Sequence, residues 1–275
     1  RGAEKGKHFV MTPHSDSLHS TAPEEPLAGG NMAAVVRVGD TVHRSAGPWT
    51  PQIHKLLAHL RAQGIEEVPT PLGYDDQGRE VLTFMAGTVG HFPCAAICHD
   101  DVLATAARLL RRLHDATAGV AALWPDDWQA RTRPPTEVIC HGDFAPYNLV
   151  FDGDRIAGVI DFDHAHPGSR AWDLAYAVYR MAPLMHPSNP ESFGTAAEQG
   201  RRLRLFCDAY GFEDRMQLLP VIGARIASMA DYLREGAAGG DLRLQANIDA
   251  GHLAVYTTDL AYYEAQHRQW ETALR

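Results

Sequence analysis

The sequence predicts an α+β chain of two unequal parts, a small β-rich N-lobe and a larger, mainly helical C-lobe. Three observations carry this expectation. Residues 26–87 alternate short apolar runs with tight-turn residues around a single amphipathic helix. From Ala171 onward the pattern is mostly helical. Between the helical blocks lies one polar hairpin, VICHGDFAPYNLVFDGDRIAGVIDFD, residues 138–163.

The first 25 residues are polar, rich in His, Ser and Pro, and lack apolar periodicity, so they read as a disordered tail. Within them Met11 is a candidate natural start, residues 1–10 then being vector-derived. Gly29-Gly30-Asn31 forms a turn ahead of AAVVRV, and Gly39-Asp40 turns that run into TVHR. The stretch WTPQIHKLLAHLRAQG is a marked helix. Thr50 suits its N-cap, Pro51 its first position and Gly64 its stop, while Ile53, Leu56, Leu57 and Leu60 repeat at i, i+3, i+4, i+7. Strands at Pro71 to Tyr74 and Glu80 to Met85 flank the turn DDQG. The C-lobe, residues 88–275, opens with a helix at Asp100 to Thr117 and is interrupted at MAPLMHPSNPESFG and REGAAGGD. A cleft between such lobes is where a ligand is expected.

Composition narrows the function classes. A chain of 275 residues buries a sizeable core, and a net charge of −9 argues against a nucleic-acid partner. No run approaches the roughly 18 apolar residues of a spanning helix, and the N-terminus lacks the apolar centre of a signal peptide, so no membrane is expected. Four cysteines without framework spacing suit a reducing, cytoplasmic location. Only three lysines occur, Lys5, Lys7 and Lys55.

The hairpin carries the chemistry. Asp152 and Asp154 are explained as turn residues. Asp143, Asn148 five residues on and Asp161 thirteen further are not. His141-Gly142-Asp143 with Asn148 reproduces the spacing of the protein-kinase loop H-R-D-x-x-x-x-N, and Asp161-Phe162-Asp163 stands where D-F-G would be. Mg²⁺ takes oxygen ligands at about 2.0–2.1 Å, commonly one or two carboxylates plus substrate phosphates. Asn148 and Asp161 suit that task, which leaves Asp143 to accept the proton of an attacking hydroxyl.

HGDFAPYNLVF followed by VIDFDHAHPGSRAWDLAY closely resembles the aminoglycoside phosphotransferase family, small-molecule kinases of a protein-kinase-like two-lobe fold. The resemblance covers most of the chain from Leu27 and is strong from His141 to Tyr176. It implies ATP or GTP as co-substrate, Mg²⁺, and a hydroxyl acceptor on an antibiotic or metabolite. It further implies Asp143, with His141 beside it, as the catalytic pair, Asn148 and Asp161 as metal ligands, and Asp173 as a helix carboxylate bracing the loop. The connector Thr83 to Met85 would present backbone to the nucleotide base, and Gly29, Gly30 and Asn31 would cover the phosphates, since glycine lets N–H groups approach.

The departures are equally specific. Gly142 replaces the Arg of H-R-D and only eleven residues separate Asp161 from Asp173, which argues against a phosphorylation-controlled protein kinase. TVHR has no lysine and PQIHKLLAHLRAQ no acid, so Arg44, which keeps its charge without an acidic partner, is the candidate phosphate contact, with His54 on the helix side. Cys94, Cys98 and His99 lack a fourth zinc ligand. His164 and His166 read as cleft-lining or structural, and Trp124, Trp128, Tyr262 and Tyr263 as packing aromatics. From Thr136 to Gly200 nine acids face three arginines, which mildly favours a cationic, aminoglycoside-type acceptor. Macrolide, homoserine, choline-like and sugar acceptors stay open, as do an inactive nucleotide-binding member and a helical regulatory or metal-binding protein.

Overall fold

The computed structural model describes residues 22–27, 35–92, 94–124 and 127–275; the turn Gly29-Gly30-Asn31 lies outside them. Five short strands, β1 Glu24–Pro26, β2 Val36–Val38, β3 Thr41–Arg44, β4 Pro71–Tyr74 and β5 Glu80–Thr83, form an antiparallel sheet in the order β1-β2-β3-β5-β4. Glu24 and Glu25, expected in the tail, instead pair with Val38 and Arg37 as an edge strand. The β4–β5 turn is fixed by Asp75, whose carboxylate accepts from the amides of Gln77 and Arg79 at 3.0 and 2.9 Å. The last strand is assigned to Thr83 rather than Met85, and one further bond, Phe84 N to Asp40 O at 2.8 Å, carries its pairing with β3 a step beyond that end.

Helix α1, Thr50–Ala62, crosses between β3 and β4 and buries Ile53, Leu56, Leu57 and Leu60 as the periodicity demands. Its cap position falls on Trp49, not Thr50; the Thr50 hydroxyl accepts from Gly47 N at 2.9 Å and closes the preceding turn. Gly64 ends the helix with φ +80°, a conformation that favours glycine.

Beyond the connector, β6 Thr88–Val89 joins the polar hairpin, β8 Leu149–Asp152 and β9 Arg155–Val159, in a second sheet of order β6-β8-β9. A two-stranded ladder, β7 Val138–Cys140 with β10 His166–Gly168, stands beside it. The helices are α2 Asp100–Thr117, α3 Arg170–Met181, α4 Ala196–Tyr210, α5 Arg215–Ala238, α6 Leu242–Asp249 and α7 His252–Leu274. Asp100 and Asp101 begin α2, where the helix dipole favours negative charge. Among the described residues no helix is long and apolar enough to cross a membrane. All four cysteines are free, and among the described residues no cluster of three or more His, Cys, Asp or Glu is arranged for a metal.

One hydrophobic cluster runs from Ile53 and Leu57 of α1, through Leu103 and Leu110 of α2, to Leu174, Phe206 and Ile222 of α3, α4 and α5. Val159 N donates to Glu67 O at 2.6 Å, so the hairpin is also stitched to the loop after α1. The two lobes therefore share a core. Leu57→Ala is expected to lower the unfolding free energy by about 2–5 kcal/mol. Because the core is shared, urea unfolding of this variant should stay a single transition by both near-UV circular dichroism and fluorescence.

Candidate active site

The β7–β10 ladder sets the loop His141-Gly142-Asp143 against His164. Gly142 has φ +80°, and a Cβ there would lie 2.2 Å from His164 O, so an arginine in its place has no room. From α3, buried Asp173 accepts from the amides of His141 and Gly142 at 2.7 and 2.8 Å and pairs with His114 Nε2 at 2.9 Å. Burial opposes its charge, but the hydrogen bonds from His114 and the Gly142 amide hold the carboxyl far below the usual range.

His141, grouped with Asp143 on the sequence, has both ring nitrogens on backbone. Nδ1 accepts from Asp143 N at 3.3 Å, so Nε2 carries the proton and donates to Ile160 O at 3.1 Å. Burial pushes its pKa down and favours the neutral ring. Through these two bonds the ring ties the loop to the strand end before Asp161.

Asp143 is held from both sides. Oδ1 accepts from Tyr147 Oη at 2.6 Å and Oδ2 from Asn148 Nδ2 at 2.9 Å. Since the Tyr147 proton goes to Asp143, the Tyr176 hydroxyl donates to Tyr147 at 2.8 Å. Asn148 Nδ2 also donates to Asp143 O at 2.9 Å, which leaves the amide oxygen for a cation. Ile160 N donates to Asn148 O at 2.9 Å and brings Asp161 alongside. Asp161, at φ +63°, is the one non-glycine residue with positive φ among those described, and its carboxylate is about half exposed.

The upper lobe completes the junction. Arg44 lies opposite Glu80 in the sheet, and Nε donates to Glu80 Oε1 at 2.5 Å. Nη1 reaches Asp161 Oδ1 at 3.2 Å and Nη2 reaches Asp163 Oδ1 at 2.6 Å. The idea that Arg44 stands without an acid is thus overturned; the acid comes from the neighbouring strand instead of α1. His54 occupies the helix side, with Nε2 3.1 Å from Glu80 Oε2. Burial works against the guanidinium charge, yet Asp163, Glu80 and Asp161 outweigh it and keep Arg44 protonated. Burial in turn raises Asp163 above its usual range despite the arginine. Thr83 donates its N–H to Thr70 O at 3.0 Å, while the Met85 side chain packs against Gly158.

Glu80, Asp163, Tyr147 and Tyr176 were not singled out by the sequence. Asp163 carried a signal, an acid two residues past Asp161; Glu80 required the strand register. The acid balance also misleads. Asp152 and Asp154 are exposed at the hairpin turn, Asp173 is inside, Asp161 and Asp163 hold Arg44, and Glu198 pairs with Arg201 at the surface.

A small sheet over a helical body, with Asp143, Asn148 and Asp161 converging where they meet, defines a small-molecule phosphotransferase of kinase-like fold. The chain belongs to the phosphotransferase enzyme family, whose model matches residues 120–219. It is 32% identical over 199 residues to the trifolitoxin immunity protein of Rhizobium leguminosarum bv. trifolii, spanning 70% of this chain and 75% of that one. A homoserine kinase of Granulibacter bethesdensis is 30% identical over 126 residues, 46% of this chain and 34% of the relative. Among solved structures, the GDP complex of aminoglycoside 2'-phosphotransferase-IIIa superposes with TM-score 0.60 at 14% identity, covering 89% of this chain and 93% of that one. Plasmodium vivax ethanolamine kinase gives 0.56 at 12% identity, covering 86% and 84%. At such identities these structures speak for the fold.

Asp173→Asn is expected to destabilise the protein by about 1–3 kcal/mol, because the carboxamide cannot accept from both loop amides and His114 at once and leaves a buried donor unpaired. Asp173 has a depressed folded pKa, so its contribution is full above the unfolded value of about 4 and fades as pH falls toward the folded value. The gap in urea stability between the two proteins should therefore narrow from pH 7 to pH 3.

Proposed function

We propose that the chain moves the γ-phosphate of ATP or GTP to a hydroxyl of a small molecule, with Mg²⁺ held by Asn148 and Asp161. The observation that carries this reading is the Asp143 carboxylate, clamped by Tyr147 and Asn148 on a loop that the Ile160–Asn148 bond ties to Asp161. The donor set fits the ion: one amide oxygen and one carboxylate, with nucleotide phosphates supplying the remaining ligands. Bound there, Mg²⁺ would neutralise phosphate charge and orient the terminal phosphoryl group.

The chain's own residues do the rest. Asp143 takes the proton of the acceptor hydroxyl, help typically worth about 10²–10⁴-fold. Asn148 fixes the base through its amide N–H, and Asp173 fixes the loop that carries both. Arg44 contacts the nucleotide phosphates while Glu80 and His54 hold its stem. The Met85 backbone meets the base. Thr83 plays a lesser part there, because its N–H is committed to Thr70.

For the acceptor, the similarity that spans 70% of this chain is to a protein named for immunity to trifolitoxin, which supports a toxin or antibiotic-type compound. A polycationic aminoglycoside loses its electrostatic argument once the acids of residues 136–200 are located.

Magnesium-dependent nucleotide turnover against a panel of hydroxyl-bearing antibiotics and metabolites tests the reading. Asp143→Ala should abolish transfer and leave nucleotide affinity within about three-fold of wild type, whereas Asp161→Ala should weaken Mg-nucleotide binding as well. Wild-type turnover in either variant contradicts the mechanism. Arg44→Ala should weaken nucleotide binding by about 1.5–3 kcal/mol, roughly 10- to 100-fold, in equilibrium titrations.

A further inference from the structure

The flank of the catalytic loop away from Arg44 gathers cations. Arg225 of α5 is 8% exposed, and its Nη2 donates to Gly142 O at 2.8 Å, one residue before Asp143. Its Nη1 reaches Ser228 Oγ at 3.1 Å and Met229 Sδ at 2.7 Å. Its guanidinium lies 4.5 Å from the Tyr176 ring centre and 5.2 Å from that of Trp172. Arg133 lies 4.2 Å over the same indole. Among the described residues, no ion pair joins a carboxylate to either arginine.

That arrangement is electrostatically incomplete. Aromatic faces return about 0.5–2 kcal/mol per cation, whereas a desolvated charge without a counter-ion, as at buried Arg225, costs several; Arg133 is exposed and supplies a second cation at the rim. Burial, Arg225 and Arg131 all push the Arg133 pKa down, with buried Cys140 the one opposing influence among its main causes. A second observation points to the same corner. His166 is 3% exposed; Nδ1 donates to His164 O at 2.9 Å, and Nε2 is buried without a partner. A Cβ on Gly168 would lie 2.8 Å from Cys140 Sγ and 3.6 Å from both the Arg133 carbonyl oxygen and His166 Cδ2, so the main chain at Arg133 runs next to this imidazole.

We propose that Arg225 and Arg133, gathered on Trp172 beside the Asp143 loop, form a subsite for a carboxylate carried by the hydroxyl acceptor. The inference rests on the phosphotransfer reading above. Guanidinium groups bind carboxylate through paired N–H donors, and Arg225 lies close enough to the base for one small molecule to bridge them. The acceptor is therefore a hydroxy acid or a larger compound ending in one.

The test uses hydroxy-carboxylates of two to six carbons, each matched with its amide, titrated against the whole chain by tryptophan fluorescence and assayed for transfer from Mg-ATP. At least one acid should bind ten-fold or more tightly than its amide. Arg133→Gln, on an exposed side chain, should reduce that preference to within two-fold with an unchanged melting temperature, and Arg225→Gln, which also loses the buried bond to Gly142 O, should reduce it to the same extent at a lower melting temperature. Equal binding of every acid and amide, or a preference surviving both substitutions, overturns the subsite. Transfer to neutral or amine acceptors without acid preference also overturns it and leaves the phosphotransferase reading standing. Acid-selective binding with no transfer to any compound does the reverse.

Discussion

A carboxylate shut away from water keeps its charge only if its oxygens are matched by donors, and Asp173 is matched by two backbone amides and one imidazole. Those amides belong to the loop that carries Asp143, so the position of the base is inherited from a helix carboxylate. The left-handed turn at Gly142 exists because the loop must present consecutive N–H groups to one acceptor. His141 then extends the same rigidity to Ile160, and the hairpin end that carries Asp161 follows. Fold and site are thus one hydrogen-bonded unit centred on α3.

The second organising feature is the cation at the end of β3. Arg44 draws Glu80 from its own sheet and Asp161 and Asp163 from the end of the hairpin, so opposite charge joins the lobes there. His54 and α1 are connected to it through Glu80. In kinases a lysine and a helix glutamate do this work; here an arginine and a strand glutamate do it with a different geometry and a fixed positive charge.

Much of the architecture was legible because it is written locally. The α1 apolar stripe, the Gly64 stop and the hairpin around Asp152 to Arg155 each need only neighbouring residues. The Asp143, Asn148 and Asp161 spacing lies within one contiguous stretch and could be read for the same reason. Glu80 could not, since its meeting with Arg44 depends on which strands pair across a separation of 36 positions. Arg133 and Arg225 reach one indole from separate segments. His141 shows a different limit: its motif position was plain, but whether its ring nitrogens meet backbone or substrate is decided by the strand end at Ile160. Summed charge was the least informative signal, because a total over residues 136–200 does not say which way each side chain faces.

The tyrosine pair beside Asp143 has a geometric corollary. With one lone pair of Oδ1 filled by Tyr147 and Oδ2 engaged by Asn148, an arriving alcohol finds the oxygen it needs already half occupied. Its O–H vector must fit the angular sector that the phenol leaves free. Compounds whose hydroxyl is hindered, or splayed to the wrong side of the ring that bears it, meet the base poorly even when the rest of the molecule fits.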